Sequence, residues 1–179
     1  MRYDVLIVGG GPCGLAAAIH ARMHNLSVCI FEPKAGVIDK ACGEGLMPHG
    51  VAQLNRLGVR IEQAFPFKGI RYLRGAQPAV FAQGDFKGQT GLGVRRLELH
   101  RAMLNRADAL DVQWRHEAAE SVLVQTQRVV VNGISGRYLL AADGLHSPIR
   151  RQFGLNGAPS KTQRYGMRQH FKARPWTDH

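Results

Sequence analysis

With 179 residues, 45% hydrophobic and 21% charged, the chain can bury roughly 70% of the surface its unfolded form exposes, so one globular domain with a real core is expected. Its net charge of +11 raises nucleic-acid binding, but the arginines are spread from Arg2 to Arg174 without a zinc-finger, helix-turn-helix or RNP pattern, which points instead to an anionic cofactor or substrate. Three cysteines, Cys13, Cys29 and Cys42, with no C-x-x-C pair exclude a disulfide framework and a structural zinc site, and no apolar run approaches the ~20 residues of a membrane span.

In chain order, "YDVLIV" (residues 3–8) is a short, nearly unbroken apolar run, as a buried parallel strand should be. It is too short for a signal peptide, and Asp4 stands where basic residues would be needed, so a cytoplasmic location is the expectation. "GGGPCG" follows, then a helix with Leu15, Ala18, Ile19 and Met23 on one face, then a second strand over 27–32. Residues 3–32 thus make one strand, turn, helix and strand unit with parallel strands and a right-handed crossover. Beyond the segment "DKACGEGLMP" (39–48), "VAQLNRLGV" predicts a short helix closed by Gly58. "FKGIRYLRG" and "PAVFAQ" read as strands joined by the turn-prone "AQP". "RRLELHRAMLNRADA" places Leu97, Met103 and Leu104 at helical spacing, with Glu98 set to pair with Arg101. Three strand-like runs follow, "VQWRHEA", "RVVVNG" and "RYLLAADG", and a last helix begins after Ser147 with Pro148 at its first position. Residues 165–171 read as one more strand.

Gly9, Gly11 and Gly14 satisfy G-x-G-x-x-G in the setting that gives that motif meaning: after a strand, opening a helix, with Glu32 about 20 residues on. Gly9 permits the tight turn, Gly11 lets a pyrophosphate approach the main chain, and Gly14 allows close helix-to-strand packing. The helix start, with Pro12 and Cys13 in its first turn, offers N–H groups to a phosphate; Glu32, followed by Pro33, can accept hydrogen bonds from an adenosine ribose. Cys13 is expected to face the packed interior. Either NAD or FAD would suit this unit.

In the 39–48 segment, Gly43 and Gly45 would let main chain approach a flat ring, with Cys42 and Leu46 beside them. A redox or tethering role for Cys42 is the alternative reading, while Glu44 is expected as an exposed loop carboxylate. His20 and His24 share the i, i+4 spacing of zinc ligands but lack a third, so no metal is expected. His100, His116 and His146 are isolated in sequence and carry no argument for catalysis.

Three features together resemble the flavoprotein superfamily of p-hydroxybenzoate hydroxylase, geranylgeranyl reductase and the flavin-dependent halogenases. They are the early glycine motif with Glu32 behind it, "AADGLHSPIRR" (141–151), which is similar to the family's Asp-Gly motif, and "VRRLELHRAML", which is similar to a helix whose arginine reaches the flavin nucleotide. The resemblance implies an α/β fold, a Rossmann-like FAD/NAD(P)-binding βαβ fold with part of an antiparallel-sheet substrate domain inserted. It divides the chain into 1–65 (βαβ unit and flavin loop), 66–91 (partial substrate-domain strands), 92–155 (continuation with the Asp-Gly motif) and 156–179 (start of an incomplete substrate domain).

It also implies FAD as cofactor and NAD(P)H as electron donor, with Asp143 on the flavin side, Gly144 making the tight turn, and Arg95 neutralising phosphate in preference to Arg96. "KACGEGL" resembles the geranylgeranyl reductase branch, so the implied reaction is reduction of a double bond, or hydroxylation through oxygen, on a small apolar or aromatic substrate. No nucleic-acid partner is implied, and oligomeric state is left open. The chain departs from the family in its end: the Gly-Asp motif expected after the Asp-Gly motif is missing, since Gly84-Asp85 lies before it. The implied reading is therefore an N-terminal portion of a longer oxidoreductase. A nucleotide-binding fragment without turnover and an NAD-dependent dehydrogenase stand as alternatives.

Overall fold

The computed structural model describes residues 2–74, 79–158, 162, 165–174 and 177–179. β1 (Arg2–Val8) is buried from Val5 to Val8 and runs through the glycine turn into α1 (Pro12–Met23). Pro12 suits the first helical position, where an N–H would have no intrahelical acceptor. α1 buries Leu15, Ala18, Ile19 and Ala21, but Met23, expected on that face, is 42% exposed at the helix's last position. The chain reverses there through Asn25 (φ 59°) into β2 (Val28–Phe31), which is buried throughout.

β3 (Gly45–Leu46) and α2 (Pro48–Arg56) follow, and Gly58 (φ 70°) ends the helical run as its sequence predicts. β4 (Phe65–Phe67), β5 (Gly69–Arg74), β6 (Ala79–Asp85) and β7 (Gly91–Gly93) come next. β5 and β6 pair antiparallel in a sheet of their own, and the expected "AQP" turn lies outside the described residues. α3 (Arg96–Asp108) leads to β8 (Gln113–Arg115), β9 (Val122–Gln125), β10 (Arg128–Val131), β11 (Ile134–Ala141) and α4 (Pro148–Gln152). Of these, β9 was not predicted: "VLVQ" shows Leu123 and Val124 to solvent, so it lacks the buried alternation that marks a strand in sequence.

The main sheet has the order β8-β2-β1-β11-β10-β9. Its first four strands run parallel, and the β9–β10–β11 meander is antiparallel. β1 is at its centre and is apolar on both sides. Val5 and Ile7 face a core shared with Leu15 and Ile19 of α1 and Leu99 and Met103 of α3, while Leu6 and Val8 face Phe31, Val131 and Ile149.

A second, three-stranded sheet, β3-β7-β4, packs beside α2. The strand expected over residues 165–171 is absent. Among the described residues that stretch joins no sheet; Arg168 and His170 fasten it to Glu44, and Met167 and Phe171 are largely exposed. Among the described residues no helix is long and apolar enough to cross a membrane.

Candidate cofactor-binding cleft

β1 sends its chain to β2 on one side and has β11 on the other, so the crevice at the carboxyl ends of β1 and β11 is where a doubly wound sheet holds ligands. The glycine turn occupies that point. Gly9 (φ 107°) takes a conformation other residues avoid, and a Cβ there would overlap the Ala142 carbonyl beside the Asp-Gly turn. A Cβ on Gly14 would overlap the Gly9 carbonyl, which is why helix and turn pack this closely. At Gly11, by contrast, a Cβ would meet nothing within 4 Å. Gly11 is the N-cap of α1 and brings no side chain to cap it, so the N–H groups of the first turn are left for a ligand.

Cys13 is exposed in that first turn, not packed inside: Gly14 and Leu15 take the buried side. Glu32 accepts the Gly10 amide at 3.0 Å with Oε2 and the Lys34 amide at 3.1 Å with Oε1. Each carboxylate oxygen keeps a further lone pair for a hydroxyl donor. Exposed Pro33 carries the chain past it. A cleft of about 180 Å³ opens here, lined by Gly10, Glu32, Lys34, His100, Trp114 and His116.

α3 supplies the other wall, and its buried face is not the expected one. Arg96, Leu99, His100, Met103 and Ala107 point inward, whereas Leu97 and Leu104 are only half-buried. Two polar residues hold inward positions that a purely apolar pattern skips. Arg96 is 4% exposed, with its Nη1 atom buried and without a hydrogen-bond acceptor. Arg95, the expected phosphate partner, is exposed at the N-cap; one residue along a helix turns a side chain by about 100°.

The 39–48 segment runs beside Arg96, and its hinge differs from expectation. The left-handed residue is Glu44 (φ 56°), while neither Gly43 nor Gly45 has a positive φ. A Cβ on Gly43 would meet nothing within 4 Å, and one on Gly45 only the Phe67 ring at 3.9 Å. Both glycines thus keep space open on the outer side of the loop. Leu46, in β3, is half-buried and packs on the core.

Glu44 is held, not free: Oε1 accepts the Arg96 amide at 2.8 Å and Arg168 at 3.1 Å, and Oε2 meets His170 Nε2 at 2.6 Å. Burial pushes its pKa up, but the Arg96 amide, His170 and Arg168 outweigh it and hold the carboxyl below its ordinary value. Arg168 also pairs with Asp39 at 2.9 Å, and this bond lowers the Asp39 pKa. Cys42 is exposed, its Sγ accepting the Glu44 amide at 3.4 Å.

The Asp-Gly turn closes the far side. Ala142 donates to the Val8 carbonyl at 2.8 Å, which sets Asp143 next to the glycine turn. Asp143 Oδ2 accepts the Ile149 amide at 3.3 Å, Gly144 (φ 87°) makes the turn, and Ser147 Oγ caps α4 by accepting the Arg150 amide at 2.9 Å. Lys40 reaches this turn, its Nζ 3.6 Å from where a Gly144 Cβ would stand. The structure therefore sets Glu32 on one side of the glycine turn and Asp143 on the other, with Lys40 beside Gly144 and Glu44 on the Arg96 amide. The His20–His24 pair lies elsewhere, with rings 4.5 Å apart and His24 Nδ1 on the His20 carbonyl. Among the described residues no three His, Cys, Asp or Glu side chains gather as metal ligands.

These groups fit a flavin dinucleotide: an uncovered helix start at Gly11 for phosphate, a buried guanidinium nitrogen lacking an acceptor, and loop main chain open beside it. The family model described as FAD binding domain matches residues 2–178. The menaquinone reductase of Mycobacterium tuberculosis is 31% identical over 165 residues, covering 84% of this chain and 40% of that protein. The digeranylgeranylglycerophospholipid reductase of Thermoplasma acidophilum is 29% identical over 170 residues, covering 86% of this chain and 42% of that one. Among solved structures, the p-nitrophenol 4-monooxygenase of Pseudomonas putida DLL-E4 superposes with a TM-score of 0.75 at 21% identity, over 86% of this chain and 44% of its own. The chain thus spans about 40% of the length of these two curated relatives.

Proposed function

This chain belongs to the FAD binding domain family, and on that premise we propose that it is the FAD-holding unit of an oxidoreductase driven by NAD(P)H that acts on a small apolar or aromatic molecule. Within that reading, Gly11 and the α1 amides bind the pyrophosphate, with Pro12 and Cys13 lining the approach, and Glu32 accepts hydrogen bonds from the adenosine ribose. Arg96, in place of Arg95, pairs with phosphate charge. The main chain of Gly43 and Gly45 runs beside the flavin ring, and Asp143 with Gly144 borders it from the strand side. The chemistry supplied by bound FAD is two-electron transfer, and what these residues contribute is binding, orientation and exclusion of water.

The observation that carries the reading is Arg96: a buried guanidinium nitrogen without an acceptor costs about 1–3 kcal/mol, which a phosphate oxygen would offset. The loop "KACGEGL" and the reductases among the relatives support reduction of a double bond, while the monooxygenases and hydroxylases among them support hydroxylation. A cytoplasmic setting suits a reaction that consumes NAD(P)H. The test is to purify the chain and titrate it with FAD. A yellow protein showing a flavin absorption band supports the reading, whereas a colourless protein that takes up no FAD defeats it. Bound FAD without NAD(P)H oxidation would favour the second reading, a nucleotide-binding unit without turnover.

A further inference from the structure

His100 is fully buried in α3, yet both of its ring nitrogens are engaged across long sequence separations. Nδ1 lies 3.2 Å from the Ile38 amide and Nε2 lies 2.7 Å from the Gly10 carbonyl. A backbone N–H can only donate, so Nδ1 must accept; Nε2 must then carry the proton and donate to Gly10. The two contacts together allow one tautomer and one charge state, the neutral ring.

Both partners line the cleft, as His100 itself does. Gly10 is the middle residue of the glycine turn, and its amide is already held by Glu32; Ile38 is the buried anchor of the otherwise exposed 33–40 stretch. We infer that His100 is a positioning residue for the adenosine end of the dinucleotide cleft: a single buried imidazole ties the glycine turn to the loop that follows β2 and fixes the width between them. This inference rests on the FAD reading proposed above. The charged and titratable groups around the ring are Glu32 and Lys34 beyond β2, Arg96 and Asp108 on α3, and His116 after β8. Burial, opposed by the Gly10 carbonyl and reinforced by Arg96, lowers the His100 pKa. Protonation would set a donor against the Ile38 amide and release the loop.

The test uses the full chain and two readouts: FAD affinity from quenching of flavin fluorescence, and the rate of tryptic cleavage after the exposed Lys34 and Lys40 in protein without FAD. His100→Phe keeps the ring and loses both bonds; FAD affinity should fall about tenfold and cleavage should accelerate. His100→Asn keeps an acceptor near the Nδ1 position, so cleavage should stay close to that of the parent while affinity falls severalfold. The parent protein should lose FAD affinity and loop protection together only as pH falls below the ordinary imidazole range, and the Asn variant, whose amide does not titrate, should keep its cleavage rate. Unchanged affinity and cleavage in both variants would overturn the inference, as would a parent cleavage rate that ignores pH. If the parent takes up no FAD, the FAD reading fails by itself, and cleavage still decides whether His100 holds the loop. If the Phe variant does not fold, the Asn variant and the pH series decide it.

Discussion

The Glu44 carboxylate serves the start of α3, its Oε1 accepting the amide of Arg96, a residue 52 positions further along the chain. A negative group at a helix start meets unpaired N–H groups and the positive end of the helix dipole, worth typically about 0.3–1 kcal/mol. The same carboxylate is gripped from outside by Arg168 and His170, so the C-terminal stretch and the loop are joined through one residue. That residue is held in a left-handed conformation that side chains other than glycine rarely adopt.

This junction sets an acid limb on stability. Arg168 holds Asp39 below its ordinary pKa, and Glu44 lies low as well, so the unfolded chain takes up these protons first. The stabilisation is complete above the unfolded carboxylate range near pH 4 and is lost as pH falls through the lower folded values. Arg168→Gln should flatten the decline in melting temperature between about pH 4.5 and 3, measured by circular dichroism. Parallel declines in the two proteins would show that Arg168 is not seated on the loop in solution.

The glycines of the turn should separate by role. Gly14→Ala drives a methyl into the Gly9 carbonyl and should destabilise the protein by about 1–3 kcal/mol, visible in urea unfolding. Gly11→Ala meets no protein atom, so it should unfold like the parent and yet bind FAD at least about tenfold more weakly, because the methyl occupies the space over the helix start. A Gly11→Ala protein that binds FAD normally would place the pyrophosphate elsewhere.

Arg96→Met removes a buried charge that lacks one acceptor. Without FAD the variant should be as stable as the parent or more so, by about 1 kcal/mol, while its FAD affinity drops roughly tenfold or more. Arg95→Ala, at an exposed position, should change stability by less than about 0.5 kcal/mol and leave affinity nearly intact. Isothermal titration beside thermal melts reads both quantities, and a larger affinity loss at Arg95 would reverse the assignment.

The thiols give a labelling test. Cys13 and Cys42 are exposed, whereas Cys29 is buried and burial pushes its pKa up to about 11. Native protein should therefore react rapidly with a chromogenic disulfide at Cys13 and Cys42 and release the Cys29 thiol only on denaturation. Saturating FAD should slow the Cys13 reaction, since Cys13 stands in the first turn of α1, the helix proposed to receive the pyrophosphate.

What could be read from the sequence was whatever depends on short-range backbone chemistry. Gly9 and Gly14 announce their places because a tight turn and a close helix-to-strand packing each need a missing Cβ within six residues. The roles of Glu44 and His100 were not legible, because each is defined by partners 52 to 126 residues away in the first case and 62 to 90 in the second. Arg95 and Arg96 differ only in helical phase, and the inward phase of α3 is set by Arg96 and His100, which apolar periodicity does not count. The strand expected over residues 165–171 failed for a related reason: Arg168 and His170 are held by Glu44, more than a hundred residues away in sequence.

The pairing of β1 with β11 also bears on how the molecule is made. Arg2 stands opposite Ser135 and Val8 opposite Ala141, so the central strand of the sheet waits for a partner synthesised more than a hundred residues later. Closing so long a loop is slow, and until it closes one flank of an apolar strand and the crevice beside the glycine turn are both unfinished. A ribosome-bound chain ending before β11 would therefore have the glycine motif in hand and no crevice to present. Capture of the nucleotide becomes a late event in biosynthesis, timed by the emergence of the Asp-Gly turn.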